Sequence, residues 1–293
     1  MNIQWYPGHM AKAKRAMQES LGLIDLVVEL TDARCPDAGR NPDIDRLAAG
    51  KARLVLLNKS DLADEQANKR WVAWYQGRGI TAVCIDARKG NFRKTFLDAA
   101  QTACREKIER DRRRGIQNRP IRAMVCGIPN VGKSTFINTV AGKGAAKTGD
   151  RPGVTRGNQW IHVTKQLDLL DTPGILWPKF EDPAVGSMLA LIGSVNDEIY
   201  SREEAAAELI GFLKEEYPAY AEKAFGEIPE KDRDYWLYEA AVMRGCLKKG
   251  GVPDEERAAA LILDDFRGGK LGRITLEKPG VSVAGYFGEK KDG

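Results

Sequence analysis

Short apolar runs bounded by polar residues recur through the first 171 positions. They read "DLVVELTD" (25–32), "RLVLLN" (53–58), "ITAVCID" (80–86), "IRAMVCG" (121–127), "QWIHVT" (159–164) and "QLDLLD" (166–171). Between most of them lie amphipathic segments of helical length. Near-continuous apolar strands alternating with helices predict a mostly parallel sheet covered on both faces. The last two runs, separated by Lys165, predict a hairpin instead. Met10, Ala13, Met17, Leu21 and Ile24 recur at helical spacing and predict a helix over 10–24. After about residue 178 the pattern becomes helical only. Ser201 and Glu204 form a capping box ahead of Ala206, Leu209, Ile210, Leu213 and Tyr217. A second helix is expected over 232–247, with Trp236, Leu237, Ala240, Met243 and Leu247 on a broad apolar face. A third is expected over 254–266, ending at Gly268 and Gly269. The organisation expected is an α/β domain over 1–178, a small all-helical domain over 179–285 and a frayed tail over 286–293.

Composition bounds the function classes. The 293 residues, 43% hydrophobic and 30% charged, can bury a sizeable core. Neither a secretory signal nor an apolar span is visible, so no membrane role and a cytoplasmic location are expected. Cys35, Cys84, Cys104, Cys126 and Cys246 are scattered, without zinc spacing, and read as reduced thiols. The net charge of +5 is mild, but "REKIERDRRRGIQNRPIR" (105–122) holds eight Arg or Lys against three acids. That run suits a polyanion or, equally, a solvated helix face followed by a loop.

The chemistry-bearing motifs sit at strand ends. "GIPNVGKST" (127–135) matches G-x-x-x-x-G-K-[ST] between a strand and a helix, the context a phosphate loop requires. Gly127 and Gly132 allow close backbone approach, so that the amides of Asn130, Val131, Gly132 and Thr135 can surround phosphates. Lys133 is expected to bridge β- and γ-phosphate oxygens and the Ser134 hydroxyl to ligate Mg²⁺. "DTPG" (171–174) supplies Asp171 for Mg²⁺ and a Gly174 N–H for the γ-phosphate. In "RPGVT" (151–155), Thr155 is a candidate switch hydroxyl on the same metal.

"LVLLNKSDL" (54–62) delivers Asn58, Lys59, Ser60 and Asp61 at the end of a strand. The Asp61 carboxylate can accept from guanine N1–H and the exocyclic amine; adenine offers neither, so ATP would leave a desolvated carboxylate unpaired. GTP is therefore expected over ATP. Asn58 orients the base and ties loops together, and the Lys59 stem lies over the ring. "DARKG" (86–90) is the companion element, with the Ala87 N–H expected at guanine O6; Asp86 and Arg88 replace the usual serine and lysine, which leaves the register open.

These five guanine-nucleotide elements occur in the order fourth, fifth, first, second, third. In that order, with "WYPGHMAKA" (5–13) and "DARCP" (32–36), the chain resembles the ribosome biogenesis GTPase A family of circularly permuted GTPases, over essentially its whole length. The resemblance implies a permuted P-loop GTPase that binds a late precursor of the large ribosomal subunit and hydrolyses GTP to GDP to leave it. Permutation sends the chain from Gly174 into the helical region, so the helix that follows D-x-x-G in unpermuted relatives must come from 10–24. That arrangement either couples nucleotide state to the second domain or is neutral topological drift.

The position after D-x-x-G that holds a water-orienting Gln in Ras-like GTPases is Ile175 here. His9 is expected to position the attacking water once the ribosomal particle orders the amino terminus, or else to be structural or to contact RNA. His162 reads as structural. The Asn130 carbonyl is a candidate K⁺ ligand near the phosphates. For rRNA, the basic run, Lys12, Lys14, Arg15, Lys248, Lys249, Arg267, Lys270 and Arg273 are the candidate contacts. A monomer is expected. The competing readings are a switch acting on a protein effector without RNA, and a GTP-dependent RNA-modification factor.

Overall fold

The structure is a computed structural model and describes residues 8–117, 119–142, 159–180, 182–226, 233–281 and 287, without the side chains of His9, Arg233 and Asp234. Among them, β1 (Leu26–Asp32), β2 (Ala52–Asn58), β3 (Thr81–Cys84), β4 (Ile121–Cys126), β5 (Gln159–Thr164) and β6 (Leu167–Asp171) form one sheet in the order β3-β2-β1-β4-β6-β5. Every neighbouring pair is parallel except β5 with β6, the expected hairpin. The strands are the apolar runs because β-branched and aliphatic side chains fit a sheet covered on both faces, and β1 is buried along its whole length.

Register decides where the chemistry lands. Asp32 pairs with Asn58, and Val125 pairs with Asp171. The carboxyl ends of β1 and β2 are level, those of β4 and β6 differ by one residue, and because Glu29 pairs with Cys126 the first two strands run three residues further; the loops that follow all four open on one edge of the sheet, where parallel α/β sheets hold ligands.

The helices are α1 (Gly8–Ser20), α2 (Asp43–Leu47), α3 (Glu65–Gln76), α4 (Arg93–Ala103), α5 (Arg105–Arg113), α6 (Lys133–Ala141), α7 (Pro183–Leu191), α8 (Arg202–Glu216), α9 (Pro218–Phe225), α10 (Arg233–Met243) and α11 (Glu255–Arg267). In α1, Met10, Ala13 and Met17 are buried on one face, with Ile24 beyond it. The Leu176 N–H points at Met10 Sδ, 3.4 Å away. The amino-terminal helix thus packs on the segment that follows Gly174, the slot expected for it. Ser201 Oγ accepts from the Glu204 N–H at 3.1 Å and starts α8.

The helical region departs from expectation at two points. Tyr217 does not continue α8: Pro218 has no N–H to give the helix, so the chain breaks at Tyr217 and restarts as α9. Only part of the apolar face read over 232–247 is buried. Leu237 and Ala240 are covered, whereas Met243 and Leu247 are exposed, because the helix ends at Met243 and the chain turns through Gly245 at φ 65°. The buried faces of α8 and α11 join the sheet in one contiguous apolar core. Beyond α11 the chain returns to the sheet, where the Ile274 N–H meets Leu62 O at 3.0 Å and the Leu276 N–H meets Arg34 O at 2.7 Å.

Candidate functional site

The loop after β4 wraps tightly because two glycines leave no room for side chains. A Cβ on Gly127 would stand 2.3 Å from Leu30 O, and one on Gly132, at φ 92°, would stand 2.5 Å from Asn58 Nδ2. Gly132 also begins α6 with no side-chain cap, so the first amides of that helix keep their anion-binding polarity. Lys133 is buried and donates to Gly127 O at 3.1 Å and Ile128 O at 2.8 Å. Burial pushes its ammonium down to about 8, partly opposed by Asp171.

Asn58 joins this loop to the end of β2. Its Nδ2 donates to Val131 O at 2.7 Å, and its Oδ1 accepts from the Ala87 N–H at 2.9 Å. One side chain thereby fixes the phosphate loop, the Asn58–Asp61 loop and the loop after β3 against each other. Thr139 on α6 adds a bond to Ala87 O at 2.7 Å. The Ala87 N–H expected at guanine O6 is thus given to Asn58 here. Asp61 bonds Arg88 through Oδ2 at 2.5 Å, while its Oδ1 is buried with no partner among the described residues. An uncompensated buried carboxylate oxygen is costly.

On the far side of Lys133, the residues after β6 close the pocket. Thr172 Oγ1 donates to Val125 O at 2.7 Å, and the Ile175 N–H reaches Gly127 O at 3.3 Å. A Cβ on Gly174 would meet Lys133 Nζ at 2.9 Å and Pro129 Cα at 3.0 Å. The Ile175 side chain is buried, and Asn41 Nδ2 holds its carbonyl at 3.4 Å. Asp171 is buried, its Oδ1 also lacks a partner among the described residues, and burial raises its carboxyl to about 6 against the pull of Lys133. A carboxylate oxygen that is unpaired among the described residues and lies in the field of Lys133 is a hard donor of the kind Mg²⁺ takes, so Asp171 fits that ion.

This geometry has close counterparts among known proteins. Residues 122–224 match the 50S ribosome-binding GTPase family. Ribosome biogenesis GTPase A of Bacillus cereus is 48% identical over 282 residues, which span 95% of each chain. The chain belongs to the ribosome biogenesis GTPase A family. Its fold is also that of two solved structures at 30% identity: GDP-bound TM YlqF, with a TM-score of 0.67 over 90% of this chain and 99% of that one, and GNP-bound YlqF from T. maritima, with 0.64 over 92% and 99%. As a ribosome biogenesis GTPase A family member, the protein is a guanine-nucleotide-binding GTPase of ribosome biogenesis.

Other expected site residues divide by place. Thr155 lies outside the described residues, and His9 contributes only its backbone, one residue before Met10 in α1. Asn130 sits in the phosphate loop at φ 60°, and its Nδ2 donates to Gly193 O at 2.7 Å. His162 is exposed on β5 and pairs with Asp168 at 2.8 Å, away from the pocket. Arg267 is not available to RNA as expected: it is turned inward onto Asp197, Tyr200 and the carbonyls of Ala190 and Leu191. Lys249 is exposed, Lys248 and Lys270 are largely so, and Arg273 is nearly half exposed, its Nε on Ala63 O at 2.9 Å. Ser194 escapes a motif search because its role is long-range; its Oγ donates to Pro129 O at 2.9 Å, beside the Asn130–Gly193 bond. No helix among the described residues is long and apolar enough to cross a membrane.

Proposed function

We propose that this GTPase binds a late precursor of the large ribosomal subunit in its GTP form and leaves on hydrolysis. The observation that carries the nucleotide part is Asn58, which spans from Val131 O to the Ala87 N–H and so supports base reading and phosphate binding in one pocket. In that pocket Asp61 pairs the guanine edge, Lys59 covers the ring, Asn58 with Ser60, Asp86 and Ala87 frames the base, and Val131, Gly132, Lys133, Ser134 and Thr135 hold the phosphates. Ser134, Asp171 and Thr155 are the ligands assigned to Mg²⁺, which when bound neutralises charge on the β- and γ-phosphate oxygens. Lys133 must swing from Gly127 O and Ile128 O toward those oxygens, and Gly174 leaves it space to do so. Asn130 is assigned to K⁺ through its side-chain oxygen, since its Nδ2 is committed to Gly193 O. His9 is assigned to the attacking water, because its neighbour in α1, Met10, packs on Leu176 in the segment after Gly174, and Ile175 has no side-chain group to do so.

The likeness to ribosome biogenesis GTPase A supports the ribosomal partner, and the exposed Lys248, Lys249, Lys270 and basic α5 supply cationic surface for rRNA. The division proposed is a GTPase domain over 1–178 and a ribosome-facing helical domain over 179–285, working as a cytoplasmic monomer. The test is co-sedimentation with large-subunit precursors in a non-hydrolysable GTP analogue and in GDP. The protein should travel with the particle in the analogue and stay in the supernatant in GDP; equal distribution in both would overturn the proposal.

A further inference from the structure

Lys59 holds a backbone conformation that a lysine does not adopt without support. Its φ is 58°, a region where the Cβ of a side-chain-bearing residue crowds the following carbonyl. Its ammonium stands 3.0 Å from Asp32 Oδ2. The reason lies in the sheet: Asp32 is paired with Asn58, and the Ala33 N–H donates to Asn58 O at 2.7 Å, so the carboxylate emerges beside the residue after Asn58.

Asp32 is gripped from behind. Arg34 donates through Nε to Oδ1 at 2.9 Å and through Nη2 to Oδ2 at 2.8 Å, and both side chains are 1% exposed. The Nη1 of the same guanidinium reaches Phe266 O at 3.2 Å and Arg267 O at 3.3 Å, the carbonyl end of α11, and its carbon lies 5.0 Å from the centre of the Phe266 ring. Helix carboxyl ends attract cations. The backbone of Arg34 is tied as well, since its carbonyl accepts from Leu276 in the returning segment. Arg273 in that segment donates to Ala63 O and Ser60 O, on the far side of Lys59.

A buried ion pair is a poor way to gain stability, since an apolar cluster of like volume serves as well. What a charge at Asp32 adds is a fixed direction for the Lys59 stem. We infer that Asp32 is a positioning residue for Lys59, and that Arg34 links occupation of the guanine site to the carboxyl end of α11. The inference rests on the base-reading roles of Asn58, Lys59 and Asp61 proposed above. It makes the end of α11, and not the γ-phosphate side alone, responsive to a bound guanine nucleotide.

The test is a double-mutant cycle on GDP affinity with Lys59→Ala, Asp32→Asn and both together. Each single change should weaken GDP about tenfold, and the pair by no more than about twofold beyond the worse single, because both remove one contact. Losses that multiply to about a hundredfold would overturn it. Arg34→Lys keeps the charge, loses the fork and guards against a misfolded Asp32→Asn. Amide exchange over 266–272 should slow on adding GDP to the parent and stay unchanged in Arg34→Lys; slowing in both would overturn the link to α11. Asp61→Asn, assayed alongside with xanthosine diphosphate, separates the two levels. If it keeps guanine selectivity, base reading and this inference fall together. If it switches to xanthosine while the cycle multiplies, the positioning role alone falls.

Discussion

Replacing Asn58 by alanine should unlatch three loops at once. The side chain satisfies the Val131 carbonyl at 2.7 Å and the Ala87 amide at 2.9 Å, and both residues are buried, at 0% and 2% exposure. Each partner left unpaired costs about 1–3 kcal/mol, so Asn58→Ala should lose about 2–6 kcal/mol of stability before any nucleotide is added. Asn58→Asp is the informative companion. It keeps an acceptor for Ala87 but turns a second oxygen toward Val131 O, so its loss should be no smaller than that of alanine. Urea unfolding of the nucleotide-free proteins, followed by tryptophan fluorescence, reads the difference, and GDP affinity is measured separately. A loss under about 1 kcal/mol for Asn58→Ala would refute the idea that this side chain builds the pocket. So would an Asn58→Asp protein as stable as the parent.

Two further outcomes follow from the phosphate side. In Gly174→Ala the new methyl meets Lys133 Nζ and the Pro129 backbone; GTP turnover should fall about tenfold or more, with GDP affinity within about threefold of the parent, and unchanged turnover in a hydrolysis assay would contradict it. Asp171, raised to about 6 by burial, must lose its proton to hold a cation. Nucleotide-free stability should therefore fall as pH rises from about 4 through 6, because the folded state keeps the proton more tightly than the unfolded one, and Asp171→Asn should abolish that slope. Mg²⁺–nucleotide binding should release a proton near pH 5.5 and almost none near pH 8, read by calorimetry in buffers of different ionisation enthalpy. Equal proton release at both pH values would contradict it.

Most of the sheet was legible because its strands are apolar runs with polar ends; "LVVELTD" and "LDLL" needed no tertiary context to be read. Motif spacing likewise pointed to Asn58, Gly132, Lys133 and Asp171, which the structure brings together at the ends of β2, β4 and β6. What could not be read depends on contacts far apart in the chain. Arg267 and Arg273 look like surface cations in the sequence, yet one is folded onto Asp197 and the other bonds the loop after Asn58. Asp32 and Arg34 served as a family signature only, although two opposite charges at the end of a strand were a usable sign of a buried partner. Tyr217 kept the helical period, and Pro218 overrode it locally. Ser60, Ala63 and Leu62 are bonded by a segment more than two hundred residues later, a pairing that no local pattern carries.

If a buried Asp61 oxygen meets the purine while the Gly132–Lys133 turn takes the phosphates of the same nucleotide, the pocket selects guanine. Calorimetry of GTP and ATP binding to the same protein in Mg²⁺ tests it most directly. GTP should bind with ATP weaker by roughly 10⁴-fold, because only guanine satisfies that carboxylate; comparable affinity for the two nucleotides would contradict the account.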